Sequence, residues 1–166
     1  MRAAVLEALN KPFVVRDVPT PELLLGGVLL RVEANGICRS DWHVWRGDWG
    51  WVGIVPQLPM VIGHEFCGVD VATGKRVVAA NSAAGDERDE PLVLLNGAYA
   101  EYVLVPERIA RVNLLPVPAG MPAELAAMVE PLACCLHGVE AAGVQADDTV
   151  AVIGLGPIGL MLCACV

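Results

Sequence analysis

Positive charge is scarce in this 166-residue sequence: eleven Lys and Arg against nineteen Asp and Glu leave a formal net charge of −8. A surface of that sign repels phosphate backbones, which argues against nucleic acid as a partner. None of the six cysteines, at 38, 67, 134, 135, 163 and 165, stands in C-x-x-C spacing, so there is neither a zinc ribbon nor a dithiol redox motif. Charged residues make up only 18% and hydrophobic ones 55%, which excludes a disordered tail and requires a packed interior. The start also lacks the apolar run of a secretory signal, because Met1-Arg2-Ala3-Ala4-Val5-Leu6-Glu7 is charged too soon. A reduced, cytoplasmic protein is therefore expected, with adjacent Cys134 and Cys135 as small buried hydrophobes. No membrane span is expected either: Thr149 to Val166 carries no charge, but Gly154, Gly156, Pro157 and Gly159 interrupt it at strand-to-helix turn spacing.

The length suits one domain with a real core. Ala3 to Leu6 and Phe13 to Asp17 read as short strands around the turn-like Asn10-Lys11-Pro12. Val28 to Ala34 reads as a longer strand, apolar at 28, 30, 32 and 34, with Arg31 and Glu33 on the other face. It delivers a loop containing Cys38. All four tryptophans follow, at 42, 45, 49 and 51, interleaved with Gly47 and Gly50. Such a loop forms one wall of a substrate pocket or simply anchors itself to the core; both readings stand. Leu58 to Ile62 leads into a strand carrying His64, Val69 to Val78 reads as a hairpin, and Asn81 to Glu90 as a solvated loop. Gly97 to Pro106 reads as a strand ended by proline. The first hundred-odd residues are thus strand-rich, as in a small, partly open β-barrel.

The character changes at Pro118-Ala119-Gly120-Met121-Pro122. Leu125, Met128 and Val129 have helical spacing; Glu130-Pro131 starts a second helix, which runs roughly to Ala142 before Gly143. A strand over Thr149 to Ile153 then leads into Gly154-Leu155-Gly156-Pro157-Ile158-Gly159 and a third helix. A G-x-G-x-x-G between a strand and a helix is the context in which it means dinucleotide binding. Gly154 permits the tight turn, Gly156 lets the backbone approach a pyrophosphate, and Gly159 allows close helix packing.

Cys38, in Gly36-Ile37-Cys38-Arg39-Ser40-Asp41-Trp42-His43, and His64, in Gly63-His64-Glu65, lie 26 positions apart. A thiol, an imidazole and a carboxylate are zinc-ligand types, and a catalytic zinc keeps three protein ligands plus one open position. With these motifs in place, the whole chain resembles the zinc-dependent medium-chain dehydrogenase/reductases of the alcohol, sorbitol and threonine dehydrogenase group. The resemblance implies a GroES-like catalytic domain over 1–118, then linking helices and the first βα unit of a Rossmann domain over 119–166. It implies Cys38 and His64 as zinc ligands. Glu130-Pro131-Leu132-Ala133 matches the branch in which a glutamate is the third, and Glu130 stands in an apolar neighbourhood where a metal would justify a carboxylate; nearby Cys134 is the other candidate. Glu65 either orients His64 or ligates when the zinc-bound water leaves. Ser40 and His43 match the family's proton relay, the bland readings being a turn cap and an exposed histidine. Arg39 matches a pyrophosphate contact or is a surface arginine, and Pro157 and Ile158 sit with the three glycines in the cofactor turn.

The sequence departs from the family in three places. Ala79 to Asn96 has no cysteine, so one catalytic zinc and no structural zinc are expected. The hairpin between Gly68 and Gly74 is shorter than usual. The chain reaches only one βα unit into the nucleotide domain, and the acidic residue that would choose between NAD and NADP falls beyond Val166. Three readings follow: an oxidoreductase acting on an alcohol or polyol; an inactive zinc-binding remnant; or an interaction module that assembles as a homo-oligomer or with a partner chain through an exposed sheet edge.

Overall fold

A computed structural model describes residues 1–52, 55–83, 93–94 and 97–166. In chain order the strands are Arg2–Leu6 (β1), Val14–Asp17 (β2), Val28–Asn35 (β3), Met60–Val61 (β4), Phe66–Asp70 (β5), Arg76–Ala79 (β6), Ser82–Ala83 (β7), Val93–Leu94 (β8), Tyr102–Val105 (β9) and Leu114–Pro116 (β10). The helices are Arg39–Arg46 (α1), Glu107–Asn113 (α2), Ala123–Ala127 (α3), Val129–Ala142 (α4) and Pro157–Cys165 (α5). Strands β2-β1-β4 form one open sheet and β10-β6-β5-β3-β9 another, with β7-β8 as a separate pair. The mixed, strand-rich class holds, and among the described residues no sheet closes into a barrel. A bridge between Ala3 and Ala100 ties the first sheet to the segment before β9.

The two faces of the five-stranded sheet bury two apolar clusters, as the period of two along a strand requires. Leu30, Phe66, Val77, Ala79, Val103 and Val105 pack with Ile109 of α2 on one face. Cys67 and Val78 meet Ala126 and Ala127 of α3 on the other. Val28 and Val32 lie with Leu30 as the alternation predicts. Ala34 does not, because the register of β3 against β5 shifts between Val32 and Ala34 and turns it to the α3 side. A bulge of this kind re-aims the strand end, and this strand ends three residues before Cys38.

Several expectations are corrected. Residues 39–46 form a helix rather than a loop; Cys38 and Asp41 close a capping box at its start and Gly47, at φ 75°, ends it. His64 lies just outside β4 and β5, in the turn between them. The Gly97–Pro106 strand is only β9, and Pro106 begins α2, which its apolar periodicity is too short to announce. Residues 149–153 carry no strand, since no neighbouring strand pairs with them. Cys135 is buried but Cys134 is exposed, adjacent helical positions pointing about 100° apart. The Asn81–Glu90 loop and the cysteine-free stretch 79–96 lie largely outside the described residues. Helices α3 and α4 and the Gly143 end of α4, at φ 68°, fall where the sequence puts them. Among the described residues, no helix is long and apolar enough to cross a membrane.

Two glycines test the packing with opposite signs. A Cβ on Gly68 of β5 would sit 2.8 Å from the Arg31 carbonyl oxygen and 3.2 Å from Leu30 Cβ, whereas one on Gly138 of α4 meets nothing. Gly68→Ala is expected to destabilise by roughly 1–3 kcal/mol through overpacking, and Gly138→Ala to stabilise by about 0.5–1 kcal/mol through helix propensity. Denaturant unfolding midpoints check both.

Candidate metal and cofactor site

The ligand atoms of Cys38, His64 and Glu65 lie within 4.8 Å of one another, from the N-cap of α1 and the β4-β5 turn. The backbone joins these two segments, Gly36 N–H donating to the Glu65 carbonyl at 2.7 Å. Gly36 has no room for a Cβ, because the Glu65 side chain occupies that space. His64 is wedged between two partners: its Nδ1 is 3.3 Å from Asp41 Oδ1, and its Nε2 is 3.2 Å from Ser40 Oγ. Asp41 is 4% exposed and its Oδ2 accepts from Tyr99 O–H at 2.7 Å and from Cys38 N–H at 3.2 Å. Asp41 and Tyr99 were not singled out in the sequence. The spacing Cys38-x-x-Asp41 was the available signal, since it is the shape of a capping box with a thiol in the place of serine.

Burial pushes the Cys38 thiol above its ordinary value, the neighbouring Glu65 charge adds to that, and the Ser40 hydrogen bonds oppose it. Burial pulls His64 down, but the Asp41 carboxylate outweighs it and the net shift is upward. Asp41 itself is held low, its hydrogen bonds from His64 and Tyr99 prevailing over burial. Glu130, at the start of α4, is raised by burial and by the negative charges of Glu65 and Asp41, with only His64 opposing. Glu130 and Cys134 are near enough to feel the charges of the cluster, although neither belongs to the group within 4.8 Å and both line a separate cavity with Phe66 and Val78. The Cys38 thiol and the Glu130 carboxyl, which burial and nearby negative charge disfavour as anions, are donors a divalent cation would relieve. The residues fit zinc.

His43 Nδ1–H donates to Asp48 Oδ2 at 3.0 Å and the ring stacks on Trp49 at 6.0 Å, with no hydrogen bond to Ser40 among the described residues. The Arg39 guanidinium lies flat on Trp42, 4.0 Å from the ring centroid. Trp42 and Trp45 line a cavity of about 720 Å3 with Phe13, Ile37 and Tyr99, while Trp45 Nε1–H also donates to the Lys11 carbonyl at 2.6 Å. Trp45 thus anchors the segment and, with Trp42, also walls a cavity; Trp51 is exposed.

A second cleft, of about 640 Å3, is lined by Cys38, Arg39, Trp42 and Glu65 on one side and by Pro157, Ile158 and Met161 on the other. Helix α5 packs on α4, where the Cys135 thiol donates to the Ile158 carbonyl at 3.6 Å. Gly154 has φ 98° and Gly156 has open space where a Cβ would stand. Gly159 has none, its Cβ position falling on the Gly154 carbonyl. These are the three roles such glycines play around a pyrophosphate, so the turn fits a dinucleotide.

Residues 25–119 match the alcohol dehydrogenase GroES-like domain. The chain belongs to that family. It is 32% identical over 184 residues to an L-threonine 3-dehydrogenase of Rhizobium rhizogenes, covering 97% of this chain and 52% of that protein. Among solved structures, an alcohol dehydrogenase of Thermus sp. ATN1 superposes with a TM-score of 0.84 at 31% identity, covering 98% of this chain and 53% of that one. An acetophenone reductase of Geotrichum candidum in complex with NAD gives 0.80 at 25% identity, covering 97% of this chain and 53% of that one. The GroES-like chain thus spans about half the length of these relatives.

Proton competition sets a pH dependence. Cys38 and His64 must both lose a proton to bind a cation, and both titrate above their ordinary values of 9.0 and 6.5. Acid therefore opposes binding: zinc affinity is expected to rise roughly a hundredfold per pH unit below about pH 6.5 and to flatten towards tenfold per unit once His64 is neutral. Chelator competition across pH measures this, and Cys38→Ser should remove about one tenfold factor per unit.

Proposed function

We propose that this chain carries the metal-bearing part of a zinc-dependent oxidoreductase that takes an alcohol or polyol to the carbonyl, with NAD or NADP as hydride acceptor. The observation that carries the reading is the convergence of Cys38, His64 and Glu65 within 4.8 Å beside a cleft whose far side is Pro157, Ile158 and Met161, at the start of the helix that follows Gly154 and Gly156. Residues 1–118 would act as the catalytic domain, and 119–166 as linking helices and the first βα unit of the cofactor domain.

Cys38, His64 and Glu130 would hold the metal, with Glu65 beside it as an alternative donor. Bound zinc would polarise the alcohol oxygen, and the nicotinamide would accept the hydride. The chain's own groups do the rest. Ser40 Oγ, 3.2 Å from His64 Nε2, stands next to the metal position and is placed to take the hydroxyl proton. His43, paired with Asp48 and stacked on Trp49, stands three residues along α1 to receive a proton and release it to solvent. Arg39 offers its guanidinium to the pyrophosphate from the Trp42 face, and Gly154, Gly156, Pro157, Ile158 and Gly159 shape the turn the phosphates approach. An aromatic cavity built from Trp42, Trp45, Phe13 and Tyr99 supports a small organic substrate rather than a polymer.

Elemental analysis tests the metal reading: about one zinc per chain is expected, lost in Cys38→Ser and weakened in Glu130→Ala. Ser40→Ala should retain the zinc and lower alcohol oxidation by about a hundredfold or more. Saturable NAD(P) binding without turnover would favour the remnant reading, and absence of zinc from the parent protein would sink the proposal.

A further inference from the structure

The hydroxyl of Tyr99 has no part in the proton and hydride steps above, yet it ends on the most buried charged group near the metal position. Its O–H donates to Asp41 Oδ2 at 2.7 Å, and Asp41 Oδ1 in turn lies 3.3 Å from His64 Nδ1. Nothing about this arrangement is loose. Tyr99 N–H donates to the Ile62 carbonyl at 2.8 Å, and Gly97 and Ala98 N–H both donate to the Gly63 carbonyl at 3.1 Å. The segment bearing Tyr99 is thereby stitched to the residues immediately before His64. The ring lies over Gly63, which has φ 100° and whose Cβ would stand 2.5 Å from Tyr99 Cδ1. Phe13 closes the other side edge-on, with centroids 6.0 Å apart.

We propose that Tyr99 is a positioning residue for the metal site: its hydroxyl fixes the Asp41 carboxylate and, through it, the ring of His64. The inference rests on the reading of Cys38 and His64 as metal ligands. The reasoning is geometric. A carboxylate rotates about its last side-chain bond unless both oxygens are occupied. Cys38 N–H at 3.2 Å is a weaker tether for Oδ2 than the phenol. Holding Oδ1 on His64 Nδ1 keeps the proton there and leaves Nε2 free as the donor atom, facing the side on which Ser40 lies. Tyr99 thus connects the strand segment before β9 to a ligand it never touches.

The test is zinc affinity by chelator competition on the full chain, with cobalt(II) absorption as a record of ligand geometry. Tyr99→Phe keeps the ring and removes only the hydroxyl; it is expected to raise the zinc Kd about tenfold and to shift the cobalt bands. Phe13→Leu loosens the same packing without touching the hydrogen bond, and should change the Kd by less than about twofold. Asp41→Asn should weaken binding at least as much as Tyr99→Phe, and the double variant no further than Asp41→Asn alone, because the hydroxyl acts through the carboxylate. An unchanged Kd in Tyr99→Phe, an equal loss in Phe13→Leu, or additive losses in the double variant would each overturn the proposal. A parent chain that binds no zinc would overturn the metal reading together with it, whereas a parent and a Tyr99→Phe variant that bind alike would overturn this inference alone.

Discussion

Asp41 is the point on which the site depends. Its carboxylate is 4% exposed, and an ion so placed is tolerated only when hydrogen bonds replace its lost water. The donors come from three separate segments: Cys38 N–H at the start of α1, the His64 ring in the β4-β5 turn, and Tyr99 O–H before β9. Their common partner makes them one unit. The charge that would be costly alone therefore fixes the distance between Cys38 and His64, which lie 26 residues apart in the chain.

The surrounding backbone is arranged so that this convergence is possible. Bulging of β3 between Val32 and Ala34 redirects its end, and Gly36 and Gly63 leave out side chains where Glu65 and Tyr99 must pass. The five-stranded sheet beneath is packed on both faces, against α2 and α3. A site assembled on rigid elements holds its geometry more closely than one carried on free loops. Towards the other end, α5 contacts α4 and brings Pro157, Ile158 and Met161 to the cleft that Cys38 and Arg39 also line. Arg39 and Trp42 stack at that junction, keeping a cation on the cleft wall.

Much of this organisation was legible before any coordinates. The strands β1, β2, β3, β5 and β6, the α3-α4 pair and the helix after the glycine turn all follow from periodicity and from Pro and Gly punctuation. The misreadings share a cause. Helix α1, Arg39-Ser40-Asp41-Trp42-His43-Val44-Trp45-Arg46, reads as loop because it is short, mostly polar and flanked by glycines. Its helicity comes from a thiol-carboxylate capping box and a left-handed glycine at the end, signals subtler than hydrophobic period. Residues 149–153 read as strand because apolar, β-branched sequence specifies a preference. A strand requires a partner, and none pairs with them here.

The sequence by itself determined the ligand types, the glycine turn, the acidic surface and the alternation that makes two-sided sheets, because these are properties of residues and of their near neighbours along the chain. Only the tertiary structure decided that Cys38, His64 and Glu65 come within 4.8 Å, that Glu130 of α4 lies within reach of their charges, and that Asp41 stands between Tyr99 and His64. The reason is physical. Contacts between residues 41, 64 and 99 depend on strand register, a bulge and the space left by two glycines, and no short-range pattern encodes the sum of these.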